Sequence, residues 1–558
     1  MTRAIAAAIA FVLAASVGAP MAQESSPRQT ARVSGVVSSA DTGRPLDGAL
    51  VELTHDSPGK SEKLTIATGP DGRFTFPALA AGTFILSAAA PRHDQATYRR
   101  SQATNAPVRH TLDEGQQFTA SIVLSRLGSI SGRIFDPFGD PVPGITVFAL
   151  EKREVAGVVR LVRAGRSSPP RPTDDIGQFR LSGLTAGDYH VVALSGALTA
   201  AASFSTVAEV GGFLPTYYPG TSSVAEAHRV HLGTGQDVAG LTLTVIPTPT
   251  YRVSGTVVDS KGAALAGAMV SIVPADGPGL NATIGGRIQA QHDGTFVVSR
   301  VPPGTYVVQG RSWITTSSEP GEYGWATVTV GQSDVRDVRI STHGPSTLKG
   351  RFVYEGDQPI RFVIPNGLQI DMVPLDFDTE PVVAISSAPG SIRLMGEGRF
   401  QVSGLWGRRL MRVRASNIVT ERIVLDGKDV TETPIEFNGR DSTVEVVLSR
   451  RVATMTGRAI DADNQPVPGC RIVLFAGDPS RWTPHSRFVT TVLADSEGQF
   501  RILGVSPGSY MSVAIPADIV GPTDPELLEA VRSSAIALIL GEGITSDIEL
   551  RLLGHVNR

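Results

Sequence analysis

One pattern occurs five times along the 558 residues, and it limits the fold more than any other feature of the chain. Each copy opens on a short strand with a glycine at its centre: Val33-Ser-Gly35, Ile130-Ser-Gly132, Val253-Ser-Gly255, Leu348-Lys-Gly350 and Met455-Thr-Gly457. Neighbouring glycines are 95 to 123 residues apart, the size of a small domain and far longer than a solenoid repeat. A turn into a second strand follows at Pro45-Leu-Asp-Gly48, Pro141-Val-Pro-Gly144 and Pro466-Val-Pro-Gly469. Copy three has Ala264 in the proline position, and copy four keeps a compressed Pro365-Asn-Gly367.

The third landmark is an acidic-glycine turn before an aromatic residue. It reads Asp71-Gly72-Arg-Phe74, Asp175-Ile-Gly177-Gln-Phe179, Asp293-Gly294-Thr-Phe296, Glu397-Gly398-Arg-Phe400 and Glu497-Gly498-Gln-Phe500. Such turns between alternating apolar residues predict hairpins. Ten residues after each phenylalanine stands a large apolar residue: Phe84, Tyr189, Tyr306, Leu410 and Tyr510. Each copy ends on an alternating strand only a few residues before the next begins. Linkers this short favour an elongated string, on the order of 100 Å long for five modules.

These residues resemble the carboxypeptidase regulatory-like domain. The likeness rests on Gly35, Pro45-x-x-Gly48, Asp71-Gly72-Arg-Phe74 and Leu79-x-x-Gly82-x-Phe84, and it extends over nearly all of the chain after the first residues. It implies an all-β chain: a tandem array of five Ig-like or prealbumin-like antiparallel β-sandwich domains, close to carbohydrate-binding-like folds. The expected divisions are a signal peptide over 1–22 and sandwiches over 32–126, 127–248 (with an aromatic insertion), 249–343, 344–450 (divergent) and 451–558. Family members serve as accessory modules of peptidases, glycan-processing enzymes and surface proteins, so the resemblance implies a fold and leaves the ligand open.

Export is read from the first residues. Arg3 supplies a basic start, Ala4 to Val17 an apolar run, and small residues around Ala22 a cleavage point. The expected location is the periplasm or the medium, with no membrane-spanning segment beyond the signal peptide. The single cysteine, Cys470, excludes an internal disulfide framework, so stability has to come from ordinary cores. With 50 basic against 53 acidic residues and no long run of either sign, nucleic acid is a poor candidate partner.

Candidate chemistry is sparse. None of the ten histidines belongs to a His-Glu-x-x-His motif; His228 and His231 come nearest, but their spacing puts them on opposite faces of an extended stretch. Gly504-Val-Ser506-Pro-Gly508 matches a nucleophile elbow, although a strand is expected after it where the elbow needs a helix. Ser57-Pro-Gly-Lys60 imitates a catalytic Ser-x-x-Lys pattern within a loop, and Asp461, Asp463 and Asn464 read as a solvated turn ahead of a calcium site. Asp524-Pro525 should cap a short helix packed on its own sandwich. No catalytic, cofactor or metal residue is assigned.

The binding candidates are aromatic: Phe213, Tyr217 and Tyr218 in the insertion of copy two, and Trp313, Trp325, Trp406 and Trp482 in loops of later copies. Exposed rings of this kind stack on sugars or anchor protein contacts; alternatively they cover one end of a sandwich. The sequence thus points to a non-catalytic exported scaffold engaging a protein or cell-envelope component. A carbohydrate-binding protein is the alternative, and a hydrolase is a third class.

Overall fold

The computed structural model describes residues 30–57, 60–98, 108–155, 158–165, 171–195, 212–275, 284–312, 321–355, 368–376, 379, 391–415 and 417–554. The expected signal peptide, Trp313 and the Pro365–Gly367 turn lie outside these residues.

The first module shows how the pattern folds. Strand β1 (Ala31–Ser39) buries every second residue, as expected for a strand with one face in a core. It is followed by β2 (Leu50–Ser57), β3 (Lys60–Ala67), β4 (Arg73–Leu79), β5 (Gly82–Ala89), β6 (Ala96–Thr97), β7 (His110–Leu112) and β8 (Gln117–Leu124). One sheet has the order β4-β1-β8, and the other runs β3-β2-β5 with β6 and β7 sharing the free edge of β5. Val33, Val37, Val51, Leu53, Phe74, Phe84, Leu86 and Ile122 fill the space between them. Each such side chain contributes about 1.5–3 kcal/mol on leaving water.

The sandwich is antiparallel with one exception. β1 pairs parallel with β8, and the corresponding first and last strands pair parallel in all five modules. Each module has its own buried apolar cluster.

The acidic-glycine turns are not hairpins in modules one, two, three and five. They carry the chain from one sheet to the other, because the strand before and the strand after belong to different sheets. Their anchor is the central strand: the carbonyls of Gly72, Gly177, Gly294, Gly398 and Gly498 accept from the amides of Val37, Ile134, Val257, Phe352 and Ala459 at 2.8–2.9 Å. A Cβ on Gly72, whose φ is +69°, would lie 2.5 Å from the Val37 carbonyl oxygen and 2.9 Å from Pro45 Cβ. The Pro and Asp-Gly landmarks therefore occur together because they touch.

Module four departs in three ways. Ser391–Leu394 makes a true hairpin with Arg399–Leu405 through the Glu397-Gly398 turn. Val419–Leu425 and Lys428–Asp429 also join the sheet of the central strand, which with Ser391–Leu394 widens it to six strands. The turn after Leu405 is one residue shorter than in module one, so the frame expected from Phe400 slips. Arg409, rather than Leu410, takes the place of the corner aromatic: it faces Pro374 as Tyr306 faces Pro274.

Candidate functional site

The residues with catalytic resemblance are committed to the fold. Ser506 lies in the turn between strands Gln499–Val505 and Gly508–Ile515, and its carbonyl accepts the phenolic O–H of Tyr510 at 2.9 Å. Tyr189 and Tyr306 donate in the same way to Thr185 and Pro302, at 2.6 and 2.9 Å. Ser506 thus sits in a recurring corner, with no helix after it to expose a nucleophile. Burial pushes the phenols of Tyr306 and Tyr510 up to about 12.

Ser57 and Lys60 face each other at the closed end of the β2–β3 hairpin. His231 Nδ1 stands 2.9 Å from Asp188 at the surface, whereas His228 packs against the Tyr218 ring. Asp461 Oδ1 accepts from the amides of Asp463 and Gln465 at 2.9 and 2.8 Å, and Arg551 donates to Asn464 at 3.0 Å. That geometry is a closed Asx turn, repeated at Asp136 and Asp259. Among the described residues no three His, Cys, Asp or Glu side chains converge as metal ligands. The capped helix α1 (Pro525–Val531) lays Leu527, Leu528 and Val531 on the outer face of module five, against Val473, Phe475 and Val513.

Four aromatic candidates face inward instead of standing exposed on loops. Phe213 is part of the module-two core. Tyr217 packs with Phe148, Leu150, Val192 and Leu194 on the outer face of the same module, and burial pushes its phenol up to about 12. Trp406 is buried and directs its indole N–H toward the His343 carbonyl at 3.4 Å. Trp482 donates to the Ala476 carbonyl at 2.7 Å and stacks edge-on to Phe475. The physical reason is common to all four: a large ring loses more by facing water than a loop gains by displaying it. Tyr218 and Trp325 are only partly buried.

Trp406 and Trp325 instead belong to a junction. Tyr323 of module three lies 5.8 Å from Trp325 and 6.2 Å from Trp406, and its O–H donates to the Thr379 carbonyl at 2.5 Å. The next junction is polar. Arg412, 8% exposed in module four, donates to the carbonyls of Thr431 (2.6 Å) and His485 (2.8 Å) and to the Glu432 carboxylate (2.8 Å). Arg487 of module five binds the other oxygen of Glu432 at 2.9 Å and also reaches the Thr420 carbonyl. Burial lowers the pKa of the Arg412 guanidinium, and Glu432 opposes that shift. Between modules one and two, the amide of Leu127 donates to the Arg92 carbonyl at 2.8 Å. Thr523 of module five donates to Glu154 of module two at 2.9 Å, so the array bends back and is not a straight string. Sequence reasoning missed Arg409, Arg412 and Glu432. The signal was there in Arg408-Arg409-Leu410-Met411-Arg412-Val413-Arg414, a strand whose charges continue where apolar residues are expected.

A family model of the carboxypeptidase regulatory-like domain matches residues 32–125. The first module is a carboxypeptidase regulatory-like domain. No curated protein matches the chain. Among solved structures, a streptococcal ancillary pilin shares 13% identity and a TM-score of 0.17, over 56% of this chain and 99% of its own. The minor pilin of Streptococcus agalactiae shares 16% identity at a TM-score of 0.22, over 39% and 97%. The shaft pilin of Lactobacillus rhamnosus GG shares 11% at 0.20, over 40% and 98%. Within the carboxypeptidase regulatory-like domain the central glycine faces the aromatic of the acidic-glycine turn, Gly35 opposite Phe74. The four later modules repeat that pairing as Gly132–Phe179, Gly255–Phe296, Gly350–Phe400 and Gly457–Phe500.

Proposed function

We propose that the chain is a non-catalytic, exported scaffold that presents the surfaces of five modules, divided near residues 126, 248, 343 and 450, to protein or cell-envelope partners. The observation that carries this reading is that the residue sets resembling catalytic motifs are consumed by structure. Ser506 is a corner, Ser57 and Lys60 close a hairpin, and Asp461 organises a turn. The side chains with dense polar networks, Arg412 and Glu432, are spent on joining modules. Export to the periplasm or the medium rests on Arg3, the apolar run to Val17 and the small residues near Ala22.

The experiment is N-terminal sequencing of the chain recovered from cell fractions, together with ester, peptide and glycoside turnover assays on the purified protein. A mature chain beginning near Gln23 outside the cytoplasm, without turnover, supports the proposal. Turnover abolished by Ser506→Ala or by chelation refutes it.

Glycan binding is the second reading, favoured by Trp325 and Tyr218, which remain partly at the surface. A glycan array probed with the wild type and with Trp325→Ala and Tyr218→Ala variants decides it: binding lost in these variants supports recognition through the rings, and no binding to any glycan removes it.

A further inference from the structure

In each module the second sheet carries an edge strand that pairs with the start of the strand following the corner turn. The five are His110–Leu112, Arg229–Leu232, Tyr323–Val330, Ile435–Phe437 and Ile536–Leu540. Their registers coincide: Leu112 faces Gly82, Leu232 faces Gly187, Val330 faces Gly304, Phe437 faces Gly407 and Leu540 faces Gly508. One residue earlier stand Thr111, His231, Thr329, Glu436 and Ile539, all pointing away from the core. Four of the five are polar. The fifth, Ile539, is 80% exposed.

The strand Ile536-Ala-Leu-Ile-Leu540 has no polar or charged side chain, and Ile536 and Ile544 beside it are 44% and 56% exposed. Ile544 folds back over Gly541, at the end of the same strand. Among the described residues this strand is hydrogen-bonded in its sheet only to Gly508–Ile515, which leaves its other edge open. Natural sheets blunt such edges with charge, proline or a bulge, because an open apolar edge pairs with any strand that fits. The sister modules use Glu436, or Arg229 and His231, at theirs.

We propose that the edge Ile536–Leu540 pairs antiparallel with the same edge of a second copy, joining two four-stranded sheets across a two-fold axis. A two-fold contact must be self-complementary, and this strand is. Centred on Leu538, the pairing sets Ile539 of each copy opposite Ala537 of the other, a large side chain beside a small one. The strand is preceded by Arg532 and followed by Glu542. Arg532 is ion-paired with Glu529 of its own copy, so the pairing rests on the apolar side chains of the strand and not on these flanking charges.

The test is sedimentation equilibrium of the full mature chain over roughly micromolar to millimolar protein. The expected result is a reversible monomer–dimer equilibrium for the wild type and for Ile539→Val, and its loss in Ile539→Lys. Ile539→Thr, which copies Thr329 of module three, is the milder second variant should the lysine disturb folding; an unchanged thermal unfolding profile confirms that either variant is intact. A wild type that stays monomeric throughout the range overturns the proposal, as does an intact Ile539→Thr that dimerises as well as the wild type.

Discussion

Gly35 lies directly opposite Phe74 across the pair of β1 and β4, so that a Cβ on Gly35 would stand 2.7 Å from the ring and 2.0 Å from the Ala120 carbonyl oxygen. The ring occupies the space a side chain would need, and the parallel neighbour β8 closes in from the other side. Gly457 has the same surroundings, with 2.7 Å to Phe500 and 1.9 Å to the Ile548 carbonyl oxygen.

Gly35→Ala should therefore destabilise module one by about 2–3 kcal/mol, through overpacking that neither neighbour can relieve. Hydrogen exchange of the β1 amides in the full chain checks it. Loss of protection should be confined to module one, whereas a Gly43→Ala control, with open space around its Cβ, meets only the strain of its φ of +65°.

The tyrosine corners set the behaviour at alkaline pH. Burial raises the phenols of Tyr306 and Tyr510 from 10 to about 12, so the folded state holds these protons more tightly than the unfolded chain. Their contribution is fully present below pH 10 and is lost as pH rises through 12. Tyr510→Phe should cost about 1 kcal/mol near neutrality, for the hydrogen bond to Ser506. It should also flatten the decline in stability of module five between pH 10 and 12, as followed by denaturant unfolding across that range.

At the junction of modules four and five, Arg412→Met removes the donor to the Thr431 and His485 carbonyls while keeping much of the side-chain volume. Losing the donor to these two carbonyls and one of the two arginines on Glu432, which keeps Arg487, should cost about 1–3 kcal/mol at the junction. Limited proteolysis should then cut near Arg450 and Arg451 sooner than in the wild type, with the module cores still protected in hydrogen exchange.

The fold was largely legible in the sequence because its constraints are local and recur. Gly35 meets Phe74, and Gly72, Gly177, Gly294 and Gly498 meet Pro45, Pro141, Ala264 and Pro466, so these landmarks recur although the loops between them differ in length. The parallel pairing of first and last strands was not legible, since it joins residues such as Gly35 and Ala120 that no local pattern links. The frame slip in module four was hidden because a turn shortened by one residue substitutes Arg409 for an aromatic without breaking the alternation. The aromatic candidates left two readings open, surface display or cover for a sandwich. Composition marks Trp406 and Trp482 as large rings in connecting segments, but only packing shows that a junction and a helix cover them. The polar clamp of Arg412, Glu432 and Arg487 is a tertiary arrangement, visible beforehand only as charges in a strand.

The most direct test of the scaffold account is chemical cross-linking of the full chain in intact cells of its source, followed by mass spectrometry of the cross-linked peptides. The account predicts an exported chain joined reproducibly to a protein or another envelope component through surface residues of its modules. A chain that remains in the cytoplasm, or one exported but joined to no envelope component, would contradict it.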